Sequence, residues 1–251
     1  MKLRIKLIMW AFLLLSTYCS MGQNPPGTDQ NKSSTKTEVF ILATLYRNHS
    51  TTPVYDHNVL RQIITAIQPD VFVLDATPKE LKEKKVHASK MEYPEVIFPL
   101  IQSNKHKSYP AEPDEPIFSE IVNATIKAMN DFEANTPDAS KMLDQFSETL
   151  LQTLKVSWKS PADVNSAVTD KVMAGKRSLQ GKMIGKVFAD GSDFWNTNIA
   201  NVTLRAVKEN PGKKILVLIG VENCTMVRDL LMKQETIHLV NMEEWLNTKK
   251  F

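Results

Sequence analysis

Apolar residues fall along this chain in two rhythms, and their alternation sets the expected fold. Val39 to Leu45 (VFILATL), Val71 to Leu74 (VFVL) and Lys214 to Gly220 (KILVLIG) are short apolar runs, and Ile237 to Val240 reads as a further short strand. Runs of this length and make-up predict strands covered on both faces, as in parallel sheets. Between them the apolar residues recur at helical spacing. Val59, Leu60, Ile63, Ile64 and Ile67 predict a helix over 58–67, ended by Pro69-Asp70. Val96, Ile97, Leu100 and Ile101 predict another over 95–103, with Pro99 inside it. Residues 117–132 read as helical, and Met142, Leu143, Phe146, Leu150, Leu151 and Leu154 make one stripe of an amphipathic helix over 140–154. A weaker pattern over 163–186 is assigned a further helix. Helices are expected over 195–208 and 225–232, a turn at Pro211-Gly212, and a closing turn over 242–246. Tyr109 to Pro116 (YPAEPDEP) is broken by proline and reads as an extended stretch or loop. Strand, helix, strand in this order is a βαβ unit, so the expected class is α/β, a mostly parallel central sheet flanked by helices. No internal repeat interrupts it.

The amino-terminal residues stand outside this alternation. Lys2, Arg4 and Lys6 precede a nearly unbroken apolar run, Leu7 to Leu15, after which Ser16 to Gly22 turn small and polar. That is the order of a secretory signal peptide, expected over 1–22 with cleavage before Gln23. The run is short of the roughly 20 residues that a membrane span needs. Cys19 leaves a lipid anchor as an alternative, although the bulky Tyr18 before it suits lipidation poorly. Residues 23–37 are rich in Asn, Pro, Gly, Ser and Thr and read as a flexible leader. One α/β domain is expected over 38–251. The expected setting is extracytoplasmic, either periplasmic or secreted, with no membrane-spanning segment once the signal is removed.

Charge and cysteine content narrow the partners. Without Lys2, Arg4 and Lys6, the chain has 28 basic residues against 28 acidic ones, which gives no reason to expect nucleic acid. Cys224 would be alone after cleavage, so no intramolecular disulfide is expected and the core must supply stability.

In open parallel sheets ligands sit beyond the carboxyl ends of the strands. Ala43-Thr44-Leu45-Tyr46-Arg47-Asn48-His49 and Gly220-Val221-Glu222-Asn223 are two such ends. Taken with Pro69-Asp70-Val71-Phe72-Val73-Leu74-Asp75, Lys90-Met91-Glu92-Tyr93-Pro94 and Pro211-Gly212-Lys213, they resemble, in order and spacing over residues 38–240, the TraB/Tiki/ChaN superfamily. The resemblance implies a Tiki/ChaN-like sheet. In hydrolytic members, His residues at the ends of the first and last motifs and a Glu after the second strand hold a divalent metal. Here Tyr46 and Asn223 stand where those His residues belong, Asp75 replaces the Glu, and Trp195 replaces the Arg of an Arg-Asn pair. Phenol and amide oxygens bind divalent metals weakly, so the usual centre is expected to be lost.

Three readings follow from the resemblance. The first is a non-catalytic member that binds a small molecule or an extracytoplasmic protein, in a pocket lined by Tyr46, Arg47, Lys90 and Asn223 beside Asp75, Glu92 and Glu222. The second is a metal-dependent hydrolase of peptide- or ester-type bonds with a rearranged site, His49, Asp75, Glu92 and Glu222 as catalytic candidates. In it His49 and Asp75 ligate Mn, Co, Zn or Ca. The third is haem or iron binding through Tyr46, His49 or His87. Each residue also has a plainer expectation: a solvated His49, an ion pair of Lys90 with Glu92, a solvated acidic loop at Glu112, Asp114 and Glu115, and a buried Cys224.

Overall fold

The computed structural model describes residues 36–251, so the signal segment and all but the last two residues of the leader lie outside the described residues. The first strand, β1 (Thr37–Thr44), runs into two short 3-10 turns (Tyr46–Thr51 and Pro53–Tyr55) and then α1 (His57–Ile67). The β2 strand (Val71–Leu74) leads to α2 (Pro78–Glu83), a five-residue π turn (Tyr93–Ile97), α3 (Phe98–Asn104) and β3 (Lys107–Pro110). A long helical stretch follows: α4 (Ile117–Asn135), α5 (Pro137–Ser157), α6 (Pro161–Val164), α7 (Ala167–Ile184) and α8 (Lys186–Glu209). The chain closes with β4 (Lys214–Gly220), α9 (Cys224–Leu231), β5 (Ile237–Leu239) and α10 (Met242–Asn247).

The five strands form one sheet in the order β3-β2-β4-β1-β5, and every pairing is parallel. The class is therefore α/β, as the strand patterns predict. The β4 strand sits at the centre, with Ile215 to Ile219 all fully buried between helix-covered faces. That accounts for its unbroken apolar sequence, because a strand covered on both faces has no polar side to show. Burial of each such side chain contributes about 1.5–3 kcal/mol.

Local chemistry fixes where the elements begin. Asp56 caps α1 by accepting a hydrogen bond from the Val59 N–H, and Thr77 with Glu80 forms a reciprocal capping box on α2, whose first residue is Pro78. The helix predicted over 95–103 with Pro99 inside it is resolved by the π turn. Pro99 has no N–H for the Glu95 carbonyl four residues back, and Arg61 donates to that carbonyl instead at 2.6 Å. The turn and α3 together extend the predicted helix by two residues at its start and one at its end.

Three expectations need adjustment. The Pro-broken stretch contributes Tyr109 and Pro110 to edge strand β3, where a missing N–H at the last residue is tolerated. The last helix before β4 starts at Lys186 rather than Trp195, and its first half packs against α4 and α7 instead of the sheet. The apolar stripe of α5 is only partly used: Leu143 and Leu154 are buried, whereas Met142 and Phe146 are exposed. Among the described residues no helix is long and apolar enough to cross a membrane.

The topology creates one crevice. The adjacent strands β1 and β4 send their outgoing connections to opposite edges of the sheet, β1 toward β2 and β4 toward β5. Such a switch point leaves a gap at the carboxyl ends of the two strands.

Candidate ligand site at the carboxyl edge of the sheet

The crevice is crossed by one side chain. Tyr46, directly after β1, has a φ of 51°, in the left-handed region that costs a non-glycine residue roughly 1–2 kcal/mol. This turn swings its ring over the end of β4, and the phenol donates to Asp75 Oδ2 at 2.6 Å. The path exists because residue 220 is glycine: a Cβ there would land within the Tyr46 ring and hydroxyl. The Tyr46-Asp75 contact therefore depends on the last residue of a strand 174 positions further along the chain.

Asp75 is the hub. It follows β2, and its own N–H donates to the Leu218 carbonyl of β4 at 3.2 Å. Backbone bonding between β2 and β3 continues past the strand ends, with Ala111 N–H on the Leu74 carbonyl and Glu112 N–H on the Ala76 carbonyl. That places Glu112 beside Asp75. Lys90 reaches both, donating to the Asp75 backbone oxygen at 2.6 Å and to Glu112 Oε1 at 2.5 Å. The Asp75 carboxylate is buried, which pushes its pKa up. The Lys90 charge and the Tyr46, Glu112 and Trp195 side chains facing it outweigh burial and hold it below the usual carboxylate range. Glu112 moves the other way, pushed up by burial and by the Asp75 charge. Burial also works against the Lys90 ammonium, but Asp75 and Glu112 more than offset it and keep it protonated.

Glu92 completes the cluster, within electrostatic reach of Asp75 and Lys90. It is fully buried, and neither carboxyl oxygen makes a hydrogen bond of normal geometry. Burial, eased in part by its own backbone and by the Thr44 side chain, raises its pKa to about 7. A carboxyl in such a place is neutral below that pH.

His49 is held elsewhere. Its Nε2 accepts from the Leu45 N–H at 2.9 Å and its Nδ1 donates to the Tyr55 carbonyl at 2.7 Å. Both ring nitrogens are thus committed to backbone, and no lone pair remains for a metal ion. Burial lowers its pKa to about 4, so the ring is a neutral tie across the turn after β1. It is neither solvated nor a ligand facing Asp75, as the two expectations for it had it. Arg47 is exposed and also stands apart from the cluster. His87 is exposed and bonds to Ser89, while Tyr46 bonds to Asp75 and both His49 nitrogens bond to backbone. Among the described residues no group of three or more His, Cys, Asp and Glu side chains is placed to hold a metal ion.

The β4 end supplies the outer part of the site. Glu222 is half-exposed and pairs with Lys176 of α7 at 2.6 Å. Asn223 accepts from Arg177 of α7 at 2.8 Å, and Arg177 also bonds to Ser192 of α8. Beyond Arg177 lies a cavity of about 240 Å³ between α4, α7 and α8, with Trp195 in its wall. The indole of Trp195 separates the cavity from Asp75, which it also faces.

The structure thus brings the buried Asp75 and Glu92 together with the partly buried Tyr46 and Lys90 in one cluster and puts Glu222 and Asn223 at its rim. Sequence reasoning missed three members. Glu112, expected in a solvated loop, is buried; its signal was its place just after a third strand that the prolines hid. Arg177 and Lys176 came from a helix of weak periodicity, where nothing marks them out. Cys224 is buried, as expected, and burial pushes its thiol pKa up. Comparison with protein-family models, with curated proteins and with solved structures gives no match to this chain.

Proposed function

We propose that this is an exported, divergent domain of the TraB/Tiki/ChaN type that binds a small ligand at the carboxyl edge of its sheet without metal chemistry. The observation that carries the reading is the position of Lys90. Its ammonium lies within 2.6 Å of the Asp75 carbonyl and 2.5 Å of the Glu112 carboxylate, among the oxygens that a hard cation would use. The cluster already contains its cation. Tyr46 and Asn223, which replace the two His residues of the family pattern, are both engaged within the protein, with Asp75 and Arg177. The order of these positions along the chain supports the family, and the adjacent cavity supports binding.

The test is calorimetric titration of the full chain with Mn, Co, Zn and Ca, followed by elemental analysis. The reading expects no stoichiometric binding. A tight single site that disappears in Asp75→Asn would replace it with the metal-dependent hydrolase.

A further inference from the structure

The cavity beyond Arg177 has mainly apolar walls, with Thr125, Ser192 and Asn223 among them, and a charge of one sign. Ile121, Val122 and Ile126 of α4 face Phe188 and Trp195 of α8 across it. Arg177 is the single charged side chain in its lining. A pocket with apolar walls and one placed ionic group is the usual form of a site for an amphiphilic small molecule.

The hydrogen bonds of Arg177 sharpen this. Its two terminal nitrogens go to neutral partners, Ser192 Oγ and Asn223 Oδ1. Its Nε, though buried, has no partner. The nearest carboxylate, Glu222, stands 3.9 Å away and is drawn off by Lys176 at 2.6 Å. A largely buried guanidinium bonded directly to neutral groups, with its carboxylates Glu222 and Asp193 only at longer range, is incompletely neutralised, and buried charges ordinarily have a close partner. Burial lowers the Arg177 pKa, in keeping with that imbalance.

We infer that this cavity binds a small amphiphilic monoanion, a carboxylate on a short apolar body, with Arg177 holding the carboxylate and the α4 and α8 side chains holding the body. The size sets the class. At about 240 Å³ the cavity is below the range of roughly 300–1,000 Å³ typical of sites for drug-sized ligands, so one short chain or ring fills it. The anion would also sit at the edge of the Asp75 cluster, since Trp195 is shared by both. This inference rests on the binding reading above and names its ligand class.

The test uses octanoate, 1-octanol and octylamine as probes of the full chain, by calorimetry and by tryptophan fluorescence. A Trp195→Phe variant assigns the optical signal among the four tryptophans. Octanoate is expected to bind at least about tenfold more tightly than either other probe, since a charge-assisted hydrogen bond is worth a factor of that order. In Arg177→Met the preference for octanoate over octanol should vanish. Octanol binding as tightly as octanoate, or silence with octanoate, overturns the inference from the unaltered chain alone, whatever the variant does. The metal titration separates the two levels: octanoate silence without metal binding fails this inference only. A metal site lost in Asp75→Asn fails the binding reading itself.

Discussion

Glu92 and His49 are buried titratable residues whose pKa values are shifted in opposite senses, and they act on stability in opposite directions. Glu92 is raised to about 7, so between its usual value and 7 the folded chain holds a proton that the unfolded chain has released. Its favourable contribution is therefore full at acid pH and is lost as pH rises through 7, by about 3 kcal/mol at most. His49 is lowered to about 4, so as pH falls from 6.5 to 4 the unfolded chain takes up a proton that the folded chain refuses. Its burial costs nothing above pH 6.5 and up to about 3 kcal/mol below pH 4. The two slopes partly cancel in the native chain. Glu92→Gln should unmask the His49 slope, and urea denaturation should find the variant gaining on the native chain by about 3 kcal/mol from pH 4.5 to 8. A pH-independent difference would mean that Glu92 titrates as in the unfolded chain. A neutral substitute such as His49→Asn should flatten the acid side of the curve in the same experiment.

At the scale of elements, the link between β1, β2 and β4 rests on Gly220 making room for Tyr46. Gly220→Ala should destabilise the chain by about 2–3 kcal/mol, because the added methyl must displace the Tyr46 ring and break its bond to Asp75. Combined with Tyr46→Ala, the same substitution should cost less than about 1 kcal/mol, a coupling that a double-mutant cycle measures. Equal costs in both backgrounds would show that the two residues do not meet. Most elements of this kind were legible from sequence. The buried strands β1, β2 and β4 announce themselves as nearly unbroken apolar runs, and α1 by its period. Edge strand β3 was hidden by Pro110, and the first half of α8 by a sequence in which Gly185, Gly191 and Ser192 dilute the apolar signal. Position of side chains around a turn was not legible at all. Nothing in the sequence says that the loop after β1 curls so that His49 bonds to the Leu45 and Tyr55 backbone and Tyr46 faces Asp75.

At the scale of the whole molecule, the site is assembled from six regions of the sequence: the ends of β1, β2 and β4, the segment before the π turn, the residues just after β3, and α7. Tyr46, Asp75, Lys90, Glu92 and Asn223 could be named from their motifs because parallel sheets gather strand ends on one edge. Glu112 and Arg177 could not, since they reach the edge only through packing. The same packing decides the chemistry, for a lysine among carboxylates is a cation that needs no entry path. The most direct measurement is calorimetric titration with Mn of the native chain and of Lys90→Ala side by side at pH 8. The account predicts no binding to the native chain and weak, saturable binding to the variant, whose Asp75 and Glu112 oxygens lose their ammonium. Equal binding to both would contradict it, because the cation site would then lie somewhere other than where Lys90 sits.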